Sequence, residues 1–419
     1  MLHSMKLGWA KYMGKTIVVH PGTQHSWQTS LAFQENHQLE CLITSIYCSK
    51  ELLEMVRGSL IIPSGIKDKI LYEIGRRNAP YLNDELVLTV GVEEYIEVLF
   101  RRLGFFGFAN VVDRFGNKRF LRKCQKILAN SQIDIVWGYN MSFKELLDEK
   151  KTGVFYVLDQ TIGNWFVYNE IIGEHYKEYK AFFRESFRSI SEDLVQRNYL
   201  EIQRSDKVVF GSDFSRSTFL NLGLEESKFE VIPYGFDEAI FKKRAEKYNG
   251  GFVKFVFVGL LTPRKGIHLL LNVFSKLINR YDIELTLVGG NQLPSGILEK
   301  YLGSKIKYLG SVSRSSIPDI LSQHHCFVFP SLFEGGGIVL YEACAAGLAI
   351  LQSKNCGDGV GNNNGVVMSD LSEESLECAV VEMLSDTDRI NTYMDNSYEW
   401  SKERQWKDYR EKVRGFLNV

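Results

Sequence analysis

The 419-residue sequence lacks the marks of several large protein classes. Its formal net charge is −1, so no global field draws it to nucleic acid. Its seven cysteines, at 41, 48, 124, 326, 344, 356 and 378, form no C-x-x-C pair, and their number is odd. This argues against a disulfide frame and a thiolate zinc site, and predicts reduced thiols in a cytosolic protein. No run nears the about 18 apolar residues of a membrane-spanning helix. The start, MLHSMKLGWAKYMGK, has lysines but no apolar stretch, so no signal peptide is expected. No short internal repeat occurs.

What is present reads as an ordinary globular protein, with 45% hydrophobic and 24% charged residues. The length exceeds one ordinary core, which predicts two domains. Strand-like runs at 16–20, 42–47, 86–90, 133–137, 154–158 and 207–210 alternate with helical segments, one of them a long stretch over 169–204. Such alternation implies crossovers and a parallel sheet covered on both faces. A second series starts at Phe252 and continues through 283–288, 306–309, 326–329 and 348–351. Its first helix, 267–279, has Ile267, Leu270, Phe274 and Leu277 along one face. Between the two series, residues 238–251 are charged, end in Asn-Gly-Gly and lack apolar periodicity. The predicted organisation is therefore α/β, with two Rossmann-like doubly wound domains facing a cleft. The first spans 1–237, 238–251 is the linker, the second spans 252–400, and the terminal helix 401–419 packs back on the first. Ligands of open α/β sheets bind at the carboxyl ends of the strands.

Residues 100–126 carry Arg101, Arg102, Arg114, Lys118, Arg119, Arg122, Lys123 and Lys126 against one acid, Asp113, interleaved with phenylalanines. This mixture suits an anionic membrane surface or a lipid-linked substrate, or a solvated basic face with its phenylalanines in the core.

Two motifs carry chemistry. The turn 259–266, GLLTPRKG, follows a strand and opens a helix. A helix N-terminus carries about half a positive charge, to which Arg264 and Lys265 add two full ones. An anion such as a diphosphate would offset that repulsion. The second motif is EGGGIVLYE, in which Glu334 and Glu342 flank Gly335, Gly336 and Gly337 after the strand at 326–329. A fully helical separation of the two acids is about 12 Å, beyond the about 5–9.5 Å of hydrolytic carboxyl pairs. Beside a diphosphate, a carboxylate at 4 Å is repelled by about 4 kcal/mol per unit charge at an effective dielectric of 20. Glu334 is thus better suited to accept from neutral hydroxyls, and Glu342 to hold a second diol.

In order, SDKVVFGSDFSRSTF, VIPYGFD, FVGLLTPRKGIHLLL, LTLVGG, IKYLGSV and EGGGIVLYE resemble the family 4 retaining glycosyltransferases, which have the two-domain B-type fold. The first half is similar more loosely, through VVHPGTQHS. The resemblance implies sugar transfer from a nucleoside diphosphate sugar, as co-substrate, to a glycan or lipid-linked acceptor hydroxyl, with retention at the anomeric carbon. It implies Lys265 on the diphosphate, Glu334 on sugar hydroxyls and Glu342 on the ribose. Gly335, Gly336, Gly337 and Ile338 would lie along the donor, and Val312 in the base-binding turn. Gly22, Thr23 and His25 fall to the donor side as well. No metal and no other cofactor is expected. The cell-side expectation is a cytoplasmic enzyme, peripheral to the membrane's inner face through 100–126, in cell-surface polysaccharide or glycoconjugate synthesis.

The chain departs from the family twice. Leu260 stands where many members have arginine, and Arg264 is the replacement charge. Asp159 stands roughly where many have histidine, which leaves the general base open, with His25 a further candidate. These departures keep a non-catalytic sugar-nucleotide-binding subunit in view, beside an epimerase or a phosphorylase on the same scaffold. Asp386-Thr387-Asp388 spells D-x-D but is read as a helix cap.

Overall fold

The computed structural model describes residues 14–22, 25–59, 61–75, 77–90, 100 and 105–416. The first sheet contains β1 (Thr16–Val19), β2 (Leu39–Thr44), β3 (Val87–Thr89), β4 (Ile135–Tyr139), β5 (Phe155–Gln160), β6 (Lys207–Phe210) and β7 (Phe229–Val231). Its order is β3-β2-β1-β4-β5-β6-β7, and β1 pairs in parallel with both β2 and β4. The second contains β8 (Val253–Val258), β9 (Ile283–Val288), β10 (Ile306–Tyr308), β11 (Cys326–Phe329), β12 (Ala349–Gln352) and β13 (Gly365–Val367). Its order is β10-β9-β8-β11-β12-β13, with every pair parallel. The expected pair of doubly wound parallel sheets is what the chain forms. In each, the order reverses beside the first strand, between β1 and β4 and between β8 and β11. Loops leaving two such strands diverge to opposite faces and open a crevice.

The described residues divide into two compact units. One runs to residue 159 and adds 199–208 and 410–416; the other holds 160–198 and 209–409. In the second, β11 reads CFVF with all four residues buried, the continuous apolar run of a strand covered on both faces. Helix Ile267–Leu277 buries Ile267, Leu270, Phe274 and Leu277, and Phe274 meets Phe255 ring to ring at 5.1 Å. Burying such a side chain stabilises by about 1.5–3 kcal/mol. Residues 238–251 contain no helix or strand. They are tied down by Tyr248, whose N–H donates to Asn391 Oδ1 at 2.9 Å while Asn391 Nδ2 donates back at 2.9 Å. Arg410 and Arg414 of helix Trp406–Phe416 pair with Glu35, and Phe416 meets Trp137.

The long helical stretch expected over 169–204 is two helices, Trp165–Glu178 and Glu192–Arg204. The chain doubles back between them because Asn169 bonds the backbone of Ile190 in both directions, at 2.9 and 2.7 Å. Helix Phe106–Asn130 buries Phe120, Cys124 and Leu128, spaced at one helical turn. Phe105, Phe108 and Val111 are exposed, as are Lys118, Arg119, Arg122, Lys123 and Lys126. Residues 101–104, with Arg101 and Arg102, lie outside the described residues. No helix among the described residues is long and apolar enough to cross a membrane.

His268, buried on helix Ile267–Leu277, places Nε2 at 3.0 Å from Nδ1 of His175. Burial pushes the His268 imidazole down to about 3, and His175 brings a second unfavourable charge. Burial also pushes His175 down, against Glu178 and Glu174. A histidine kept neutral in the fold stabilises fully above its unfolded value and loses that contribution as pH falls below it. Between pH 7.5 and 5.5, urea unfolding of His268→Leu should therefore lose about 1 kcal/mol less stability than the wild type.

Candidate active site

The reversal between β8 and β11 brings two loops into backbone contact. Gly266, at φ 70°, ends the 3-10 turn Pro263–Lys265 that follows β8. A Cβ there would lie 1.9 Å from the carbonyl oxygen of Pro330, the first residue after β11. The Arg264 carbonyl accepts from Leu332 N–H at 2.8 Å and from Ser331 Oγ at 3.1 Å. These contacts bring the two motifs together although 70 residues separate Arg264 from Glu334.

Glu334 is their common point. Its Oε1 accepts from Arg264 Nη1 at 2.8 Å, from Lys265 Nζ at 2.5 Å and from Ser331 Oγ at 2.8 Å. Arg264 Nη1 also donates to the Phe333 carbonyl at 2.8 Å. Lys265 Nζ lies 4.9 Å from the centre of the Phe329 ring. Burial alone would raise the Glu334 carboxyl, but Lys265, Arg264 and Ser331 hold it below its ordinary value. Burial pushes Lys265 down, Arg264 adds to this, and Glu334 opposes. Two basic side chains thus share one carboxylate oxygen.

The glycines after Glu334 are enclosed. A Cβ on Gly335 would lie 1.8 Å from the Thr161 oxygen, and one on Gly336 2.4 Å from the Tyr234 ring. Gly337, at φ 55°, caps helix Ile338–Ala345 and would meet the Cys356 oxygen at 2.2 Å. Further along that helix, buried Glu342 accepts from Arg314 Nη2 at 2.5 Å. Burial pushes its carboxyl above the ordinary value; Arg314 opposes and Asp237 adds. Val312 lies two residues before Arg314, in the loop after β10. Gly290, after β9, neighbours both that loop and the turn after β8: a Cβ on it would approach Ser311 at 3.4 Å and Leu260 at 3.3 Å. Leu260 is exposed there. Ser331 and Arg314 were not singled out from the sequence, yet Arg314, a cation in a turn after a strand, follows the same logic as Lys265.

The remaining candidates belong to the other unit, at the carboxyl ends of neighbouring strands. His25 Nε2 lies 2.8 Å from Asp159 Oδ2, with both side chains buried. Trp137 Nε1 donates to the same oxygen at 3.3 Å. Asp159 Oδ1 is buried without a hydrogen-bond partner among the described residues. His20, which follows β1, packs edge-on against Tyr139 at 4.5 Å, and His25 does so at 5.2 Å. Burial pushes His20 down to about 4. Gly22 sits over the His20 ring, where a Cβ would approach Cε1 at 2.8 Å. Thr23 lies outside the described residues. Sequence reasoning took Asp159 and His25 as separate candidates and did not single out His20 or Trp137.

Among the described residues, no three His, Cys, Asp or Glu side chains gather where they could hold a metal ion. Asp386 caps helix Thr387–Ser401, accepting from the N–H groups of Asp388 and Arg389.

Removing the Asp159 carboxylate strips His25 and Trp137 of their acceptor. Each buried donor left unpaired costs about 1–3 kcal/mol. Asp159→Ala should lose about 2–5 kcal/mol in urea unfolding. Asp159→Asn keeps an oxygen for both donors but buries an amide N–H2 without an acceptor, and should lose about 1–3 kcal/mol.

Residues 238–400 match the family described as Glycosyl transferases group 1. The phosphatidylinositol N-acetylglucosaminyltransferase gpi3 subunit of Schizosaccharomyces pombe is 29% identical over 143 residues, 33% of this chain. The match covers 31% of that protein, so the chain spans less than a third of its length. Sucrose-phosphate synthase from Thermosynechococcus elongatus superposes with a TM-score of 0.65 at 14% identity, over 96% of this chain and 98% of that one. HepE of Anabaena, solved in complex with UDP-glucose, gives 0.56 at 14% identity, over 96% and 99%. At such identity the likeness shows the fold alone. Residues 238–400 thus match the group 1 glycosyl transferases, within a chain that has the two-domain B-type glycosyltransferase fold.

Proposed function

We propose that the protein is a metal-independent retaining glycosyltransferase, moving a sugar from a nucleoside diphosphate sugar to an acceptor hydroxyl. The observation that carries this reading is the convergence of Arg264 and Lys265 with Glu334 beside the Gly335–Gly337 loop. Arg264 and Lys265 stabilise the charge that develops on the departing diphosphate, usually the largest catalytic term. They and the N-terminus of helix Ile338–Ala345 supply the positive charge that a metal supplies elsewhere. Glu334 accepts from sugar hydroxyls. Gly335, Gly336, Gly337 and Ile338 line the donor, Glu342 binds the ribose, and Val312 lies by the base. In a front-face displacement, the C–O bond to phosphate breaks as the acceptor oxygen bonds the same face. The leaving phosphate then takes the acceptor's proton, so no protein base is required. Gly22, Thr23 and His25 are assigned to the donor, and Asp159 to orienting substrate hydroxyls.

The acceptor is a glycan or a lipid-linked molecule, made for the cell surface at the inner face of the membrane. The name of the S. pombe relative, a phosphatidylinositol glycosyltransferase subunit, supports a lipid-linked acceptor. So does helix Phe106–Asn130. Its exposed residues 108, 111, 119, 122 and 126 lie along one stripe, apolar at one end and basic at the other.

Thermal shift against UDP and GDP selects the base, and a transfer assay with the matching sugar nucleotides tests the rest. Lys265→Ala and Glu334→Ala should each abolish transfer while leaving the protein folded. The product should keep the donor's anomeric configuration by NMR, and EDTA should leave the rate unchanged. Near-normal turnover in both variants would sink the assignment. Vesicles containing anionic lipid should co-sediment the wild type, and Arg119→Glu with Arg122→Glu should weaken this without changing nucleotide binding; equal sedimentation would remove the membrane contact.

A further inference from the structure

Arg264 and Lys265, the cations proposed to hold a diphosphate, both donate to a single carboxylate oxygen, Oε1 of Glu334. That carboxylate is pinned. Ser331 donates to it at 2.8 Å, and Glu334 N–H donates to the Asn355 carbonyl at 3.1 Å. Asn355 Nδ2 donates to the Leu332 carbonyl at 3.0 Å, which fixes the loop. Glu334 is 8% exposed, so little water screens its charge. A diphosphate arriving at Arg264 and Lys265 must share them with a fixed anion.

Sugar hydroxyls change this balance, because they are donors. A diphosphate carrying a sugar can give Glu334 hydroxyl hydrogen bonds in place of those its cations withdraw. A diphosphate without a sugar brings acceptors only, and Glu334 then faces it with less compensation. We infer that Glu334 discriminates between substrate and product: it lets Arg264 and Lys265 hold a sugar-bearing diphosphate and draws them back once the sugar has left. The carboxylate acts as an internal stand-in for phosphate that hastens product release. This rests on the donor site proposed above. It differs from a merely structural ion cluster in sign. If Glu334 only held the loop in shape, neutralising it would weaken diphosphate binding; as a competitor for the cations, its neutralisation strengthens binding.

Isothermal titration of the full chain reads that sign with UDP, GDP and inorganic pyrophosphate. Glu334→Gln should bind the preferred nucleoside diphosphate at least about ten-fold tighter than the wild type, the effect of one nearby charge. The corresponding sugar nucleotide should gain less, so the preference for sugar-bearing ligand shrinks. Adding Arg264→Gln should cancel most of the gain, because the two residues act through one contact. Glu334→Met, similar in length and uncharged, should tighten diphosphate binding as well, and serves where the glutamine variant does not fold. Wild-type binding that neither variant strengthens overturns the inference and leaves the donor site standing. No binding of any probe by wild type or variants overturns both.

Discussion

The candidate site depends on a backbone crossing. The turn after β8 and the loop after β11 touch where Gly266 meets the Pro330 carbonyl and Leu332 N–H reaches Arg264. No side chain fits between them. Loops at a reversal of strand order leave toward opposite faces and open a crevice; here the two also meet through their backbones. The crossing sets the guanidinium of Arg264 and the ammonium of Lys265 against Glu334. A buried ion cluster of this kind is weak evidence for stability, because desolvation offsets much of the attraction. Its value lies in holding charge ready, in place and out of water.

The two acids of EGGGIVLYE occupy opposite environments. Glu334 has two cations and a serine hydroxyl on one oxygen, and its carboxyl lies below the ordinary value. Glu342 is buried with one arginine and near Asp237, and its carboxyl lies above. Divergent settings of this sort assign divergent tasks to like residues. The helix that follows Glu334 and carries Glu342 supplies the geometry, since its capping glycine turns the chain and leaves Glu342 more than one turn along.

The first unit repeats the architectural logic with different chemistry. At the carboxyl ends of β1, β4 and β5 it gathers His20, His25, Tyr139 and Asp159. One carboxylate oxygen carries both the imidazole and an indole N–H, while the other has no partner among the described residues. A carboxylate so placed repels phosphate and suits a hydroxyl donor. The long helix of the same unit divides its phenylalanines. Phe120 belongs to the core with Cys124, and Phe105 and Phe108 face solvent.

The sequence alone determined the fold class, because alternating apolar runs and helical periods are local signals. Residues 252–259 and 267–279 were legible as strand and helix, and the structure places them at Val253–Val258 and Ile267–Leu277. It also marked Arg264, Lys265, Glu334 and Glu342, since glycine-flanked charges after a strand stand out without any fold. Hidden from it were the partners of those charges. Ser331 has no local pattern, Arg314 only that of a cation in a turn after a strand, and the link between His25 and Asp159 spans 134 residues. Only the tertiary structure decided which cation meets which acid. Strand order sets which loops are neighbours, and burial sets the strength of each charge, and neither quantity is written in any short stretch of chain.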